Sequence, residues 1–211
     1  MGNNAPHEAV LIAAALLLWS AVAVALVRAA ERRATGGVTA TSPLTVVSAI
    51  AIAIGATTLR ATPAAAAACG VACIALVVAA EADARTGLLF DAVTFPAALL
   101  TSTIGVLAGD AAAAGWGVAL LVGPFGTLVV ASRGRAMGLG DVKAMFAIGA
   151  AFGPLESLIA IFGACASGIL AAAVTRRLRP GESVRFGPHL AAGSALALSL
   201  GDPIVRFITR P

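Results

Sequence analysis

Residues 144–155, AMFAIGAAFGPL, decide the fold. The stretch is apolar and free of charge, yet it holds only 12 residues, where a helix needs about 20 to cross a bilayer. Whether it crosses sets the parity of everything after it, and so which charged loops share a side. Working outward, charge-free windows lie at 9–27, at 44–59 behind Pro43, and at 61–80, 92–109, 111–132, 157–175 and 186–201. With 144–155 they make eight. The expected fold is all-α: a polytopic integral membrane bundle of about eight transmembrane segments, within a range of six to eight.

Composition agrees along the whole length. The 211 residues are 60% hydrophobic and 11% charged, with a mean hydropathy of +0.99. Globular chains carry about 25% charged residues, so an anchor fused to a soluble body is excluded. So are a disordered chain, a coiled coil and a disulfide-stapled module. The net charge of +4 does not indicate nucleic acid, because the basic residues are dispersed between apolar windows. Cys69, Cys73 and Cys165 lie inside windows without zinc spacing and read as packing residues. Alanine runs such as 64–68 and 111–114, with many of the glycines, allow close helix approach.

The basic residues set the orientation. If all eight windows cross, 11 of the 14 Lys and Arg residues share the face of Arg28, including Arg133, Arg135 and the Arg176, Arg177 and Arg179 cluster. The other face has Arg60, Arg206 and Arg210. The positive-inside rule makes the first face cytoplasmic and both termini external. His7 and Glu8, not a basic run, precede the first window, which therefore reads as a transmembrane helix rather than a cleaved signal. Arg-rich loops of this kind also meet anionic membrane lipid. The chain is expected to be one membrane-embedded domain over 1–211. Two N-terminal helices at 9–60, joined by a short loop, precede a core at 61–203.

Charges at membrane depth are costly and point to function. Glu8, Glu31, Asp110, Glu156, Glu182 and Asp202 fall at loops or window edges, where solvent is expected to satisfy them. Glu81, Asp83, Asp91 and Asp141 remain. Asp83 closes the third window in VVAAEADARTGLLFDAVTFP, and Asp141 opens the sixth in AMGLGDVKAMFAIG. An even number of crossings separates them, so both are expected at the cytoplasmic face. Two carboxylates at one face are the material of an acid–base pair, one activating water while the other, protonated, polarises a carbonyl. Gly138 and Gly140 before Asp141 permit close backbone approach, and an acid in a first helical turn suits the helix dipole. A plain turn with an acidic N-terminal residue would read the same way. Glu81 and Asp83, two apart, do not share a helix face, so Glu81 reads as a helix-end charge.

These residues resemble the motifs of the type IV prepilin peptidases, membrane aspartic proteases of prokaryotes. The family's first motif is an Asp ahead of Pro-Asp/Asn-x-Leu/Val-Thr-x-Pro; here Asp83 is followed by Asp91, Val93, Thr94 and Pro96, with Phe90 in place of the first Pro. Its second, GxGDxK, is matched by Gly138, Gly140, Asp141 and Lys143. A third segment, FGPHLAAG from Phe186, Gly187 and Pro188 onward, is similar to the family's Phe-Gly-Pro-aromatic-Leu-Ala stretch, with His189 in the aromatic slot.

The resemblance implies an endopeptidase with Asp83 and Asp141 as the catalytic pair. The other motif residues would support the site or lie near substrate. The implied substrate is a prepilin or pilin-like subunit, cut on the cytoplasmic side of a prokaryotic plasma membrane between a short basic leader and an apolar helix. No metal and no organic cofactor are implied. Asn tolerance at the Asp91 position implies that this residue caps the next helix. Lys143 has three readings: holding the acid pair, meeting substrate, or anchoring at lipid phosphates. Larger family members carry Cys-x-x-Cys pairs in an insert linked to methylation. The matching loop here, 28–43, has no cysteine, so the resemblance is to a peptidase-only form. The competing classes are a proton-coupled transporter, which predicts acids near mid-membrane and an internal repeat, and a non-catalytic secretion-machinery component, which predicts loss of a motif Asp.

Overall fold

The computed structural model describes residues 5–37, 40–135, 137–175 and 185–209. Arg176, Arg177, Arg179, Glu182 and Arg210 lie outside them. Among the described residues the fold is all helix: α1 (Ala5–Thr35), α2 (Pro43–Leu59), α3 (Pro63–Thr86), α4 (Asp91–Leu107), α5 (Ala111–Ser132), α6 (Leu139–Val174) and α7 (Gly187–Thr209). Five of these, α1, α3, α5, α6 and α7, are long and apolar enough to span a membrane; α2 and α4 are shorter apolar helices. The protein is a polytopic helical membrane protein.

Helix starts follow local chemistry. Ser42 and Thr62 cap α2 and α3 by accepting from the N–H groups of Thr45 and Ala65, each at 3.2 Å. Pro43 and Pro63 follow at the first helical position, where a missing N–H costs nothing. α3 is the central element, packed by α1, α2, α4, α6 and α7. Its small residues allow this. Leu16 of α1 lies where a Cβ on Gly70 would be, 2.5 Å away, and Trp19 Nε1 donates to the Val71 carbonyl at 3.1 Å.

The 144–155 stretch lies in the first half of α6, which breaks at Gly153 (φ 67°, ψ −170°), a conformation open essentially to glycine alone, followed by Pro154. Contacts show a reversal there. Cys69, near the start of α3, donates to the Ala151 carbonyl, and Arg60, just before α3, pairs with Glu156. At the far end of α3, Asp83 meets Gly187, while Gly168 lies against His189 and Phe186. The arm 139–152 thus runs from the Asp83 end of the bundle to the Arg60 end, and 154–174 returns. At 1.5 Å per residue the first arm is roughly 20 Å long, short for a span but sufficient to change ends. It packs tightly on α5, where a Cβ on Gly117 would stand 2.1 Å from the Gly149 carbonyl oxygen.

Three expectations are corrected. α1 outruns its apolar window and continues through Arg28 to Thr35, because VRAAERRAT is rich in strong helix formers. Glu31 is not a solvated loop acid: it is 2% exposed and bonds Arg85 at 2.8 Å. Glu156 is likewise held by Arg60, with side-chain exposures of 16% and 5%. A charge at an apolar boundary is satisfied by a partner where packing removes water.

Candidate active site

Asp83 lies in the last turns of α3 and is buried. The helix ends at Gly87, whose left-handed conformation (φ 72°) lets its N–H return to the Asp83 carbonyl at 2.9 Å. From the opposite end of the sequence, the segment before α7 closes on the same residue. The Gly187 N–H donates to Asp83 Oδ2 at 3.0 Å. Arg185 Nη1 donates to the Asp83 carbonyl at 3.0 Å and also to the Ala84 carbonyl. By the charge count Arg185 is one of the 11 basic residues on the face of Arg28, and nothing in that count ties it to Asp83. Its adjacency to the Phe-Gly-Pro segment was the signal that it belongs here.

Asp141 stands at the third position of α6, behind Gly138 at the N-cap. Its carboxylate accepts from the Gly138 backbone, the arrangement by which an acid at that position satisfies an orphan amide. Its other oxygen, Oδ1, is buried without a hydrogen-bond partner. Such an atom is costly unless it has further work, since a buried polar group left unpaired loses about 1–3 kcal/mol. Gly140 has a steric reason as well: a Cβ there would be 2.9 Å from Leu89 Cβ, in the connection that follows Asp83. The two motif segments are thereby packed together.

Both carboxylates line one cleft of about 960 Å³ and lie within Coulombic reach of each other. Its apolar wall includes Leu88, Leu89, Phe125, Leu128, Met137 and Phe186, and its charged groups are Asp83, Asp141, Arg135 and Arg185. Gly138 and Gly140 also line it. A cleft with apolar sides and two converging acids can hold an extended apolar segment and present a polar bond to both carboxyl groups.

Not every motif residue enters the cleft. Lys143 bonds Asp91 at 2.6 Å in an exposed pair and does not line the cleft. Asp91 does not cap α4: the cap position is Phe90, without a side-chain bond, and Asp91 sits in the first turn. There it suits the dipole and is held by Lys143. Thr94 is buried, with its hydroxyl donating to the Phe90 carbonyl at 3.4 Å, and Pro96 lies within α4. Pro188 falls in the first turn of α7, where the Phe186 carbonyl takes the N–H groups of His189 and Leu190. The His189 ring bonds Ser167 (3.1 Å) and tilts against Phe186. Glu81 accepts from the Ser42 N–H at 2.7 Å and pairs with Arg85, which fixes it to the start of α2.

Fold and site together define a class: a polytopic helical membrane protein in which two aspartates from distant helices converge on one cleft. Residues 70–173 match the model of the type IV leader peptidase family. The matched stretch is just under half of the chain and contains both Asp83 and Asp141. The chain is also 36% identical, over 141 residues, to the prepilin leader peptidase/N-methyltransferase of Burkholderia pseudomallei strain 1026b, and equally to that of strain K96243. Each alignment covers 62% of this chain and 45% of the relative, so the chain spans about half the length of the curated relatives it matches. No solved structure matches it.

Proposed function

We propose that the protein is an aspartic endopeptidase that removes the short basic leader from a prepilin or pilin-like subunit, with Asp83 and Asp141 as its catalytic pair. The observation that carries this reading is the convergence of the two carboxylates on one cleft, with Asp141 Oδ1 buried and unpartnered. Like charges held close cannot both ionise cheaply, so the pair carries one proton between them. The ionised carboxylate takes a proton from water as the water oxygen bonds the scissile carbonyl carbon. The protonated carboxyl gives its proton to the carbonyl oxygen. Collapse of the tetrahedral adduct breaks the C–N bond, the departing nitrogen takes the proton first drawn from water, and the gem-diol hydroxyl returns the other.

The distribution of basic residues supports a cytoplasm-facing cleft in a prokaryotic plasma membrane, since Arg133, Arg135, Lys143 and Arg185 all belong to the positively charged face. The apolar wall fits the start of a pilin-like helix. Gly138, Gly140 and Gly187 support the two acids, and the Asp91–Lys143 pair ties α4 to α6 at the same end. The reading is restricted to peptide-bond hydrolysis by residues of the chain itself.

The test is cleavage of a co-expressed prepilin-type reporter, a Lys-rich leader joined to an apolar helix, by wild type, Asp83→Asn and Asp141→Asn. Wild type shortens the reporter, and both variants insert into the membrane normally but leave it intact. Full activity in either variant removes that aspartate from the pair. Labelling of single cysteines introduced at positions 135 and 156 from either side of the membrane tests the orientation.

A further inference from the structure

The two aspartates occupy opposite helix ends, and this makes their roles unequal. Asp141 is in the first turn of α6, where the dipole favours negative charge; Asp83 is in the last turns of α3, where it opposes it. On dipoles alone Asp141 would hold the charge. The surroundings reverse this. Arg185 binds the carbonyls of Asp83 and Ala84, placing a full cation on the negative end of α3, and its charge reaches the Asp83 carboxyl. The Gly187 N–H meets Oδ2 from the same segment. Asp141 has the Gly138 amide on one oxygen and nothing on the other. A bare buried Oδ1 suits a protonated carboxyl that gives its hydrogen bond to a substrate carbonyl.

We propose, building on the peptidase reading above, that Arg185 is the positioning residue that assigns the roles, holding Asp83 as the ionised base and leaving Asp141 as the proton-bearing acid. Other charged groups near Asp83 are already committed. Glu81 and Arg85 on its own helix pair with each other, and Arg85 also bonds Glu31 of α1. α2 has no charged residue. The α4 acid Asp91 is bound by Lys143 of α6, and His189 of α7 bonds Ser167. Across the cleft stand Asp141, the partner acid, and Arg135, which donates to the Ser132 carbonyl at 3.3 Å. Arg185 is the described cation that bonds the end of α3 beside Asp83.

A residue that merely capped α3 would make the same contacts, so the test needs a readout that capping does not move. The pH dependence of kcat/KM is measured on detergent-solubilised enzyme with a fluorogenic peptide of a Lys-rich leader and an apolar stretch. The variants are Arg185→Gln, Arg185→Lys, Asp83→Asn and Asp141→Asn. Removing the cation disfavours the charged base, so the acid limb of Arg185→Gln moves to higher pH by on the order of one unit, the lower range of what an adjacent opposite charge does. Arg185→Lys keeps the charge without the fork and holds the limb near its wild-type position while losing rate.

An Arg185→Gln profile lowered uniformly and not displaced overturns the assignment and leaves Arg185 a helix cap. Should Arg185→Gln fail to fold, Arg185→Met, which also removes the charge, takes its place: a limb displaced to higher pH supports the proposal, and an undisplaced one overturns it. Activity surviving in Asp83→Asn or Asp141→Asn is a separate failure, of the aspartate pair. A wild type that cleaves no such peptide overturns the peptidase reading and the role assignment with it.

Discussion

Gly187 and Asp83 lie 104 positions apart, yet the backbone N–H of one donates to Oδ2 of the other at 3.0 Å, and a Cβ on the glycine would stand 2.7 Å from that oxygen. The Phe-Gly-Pro segment therefore needs glycine because the backbone itself is the contact. Any side chain there would push the acid from its place.

Gly187→Ala is expected to insert and fold, with the Asp83 carboxyl displaced by a few tenths of an ångström or more. If Asp83 has the catalytic role proposed for it, misplacement on the ångström scale costs about a hundredfold in rate, and kcat is expected to fall accordingly. Reporter cleavage measured beside a thermal unfolding curve checks this. Unchanged kcat would mean that the contact does not position Asp83.

Gly140 makes the second close approach, its missing Cβ leaving room for Leu89 Cβ at 2.9 Å. Gly140→Ala forces the start of α6 away from the connection after Asp83, an overpacking of about 1–3 kcal/mol. Leu89→Gly removes the opposing atom. The double variant is expected to regain part of the stability lost in Gly140→Ala, beyond the sum of the single effects, because the two sites are in contact. Strict additivity in unfolding measurements would show that the clash is relieved elsewhere.

At Gly153, φ 67° with ψ −170° lies where residues bearing a Cβ are strained by on the order of 1–3 kcal/mol. Space is not the difficulty, since the nearest atoms to a Cβ there are 3.8 Å away in Ala113. Gly153→Ala is thus expected to lower stability by that strain alone, and Gly153→Val by more. A thermal shift indistinguishable from wild type in both variants would mean the reversal does not depend on this conformation.

Much of this architecture was legible from charge and hydropathy. Windows bounded by charged residues fall on the seven helices, and the break inside α6 carries a local mark, because Gly-Pro inside an apolar run is a turn signal. The GxGD spacing located Asp141, and the even number of crossings brought Asp83 to the same end. What the sequence hid is pairing across helices. Glu31 sits in a run of arginines that reads as a solvated loop, and only the packing of α1 on α3 shows it bound to Arg85. Asp91 reads as a cap from the resemblance, but it sits in the first turn of α4, and its tie to Lys143 depends on how α4 and α6 meet. Arg185 could be counted as a positive-face residue but not placed on α3, since contacts between residues a hundred positions apart have no local signature.

The Arg60–Glu156 pair lies at the opposite end of the bundle from the two aspartates and tests how that end is held. Arg60 reaches three groups on two helices: Glu156 just after the α6 reversal, the Ala197 carbonyl of α7 at 2.9 Å, and the Phe152 ring of α6, 5.2 Å from its centroid. Its side chain is 5% exposed. Removing one member of a buried pair strands the other charge, at a cost of about 3–5 kcal/mol. Arg60→Met is expected in that range, because Glu156 then has no cation beside it and Asp202 adds like charge. Glu156→Gln is expected to cost less, since the guanidinium keeps the carbonyl and the ring. Arg60→Met combined with Glu156→Leu removes both charges and is expected to recover much of the loss, as apolar replacement of buried pairs often does. Thermal unfolding in detergent measures all three. A double variant as unstable as the two losses added together would mean that the pair itself, and not the stranded charge, holds the reversal in place.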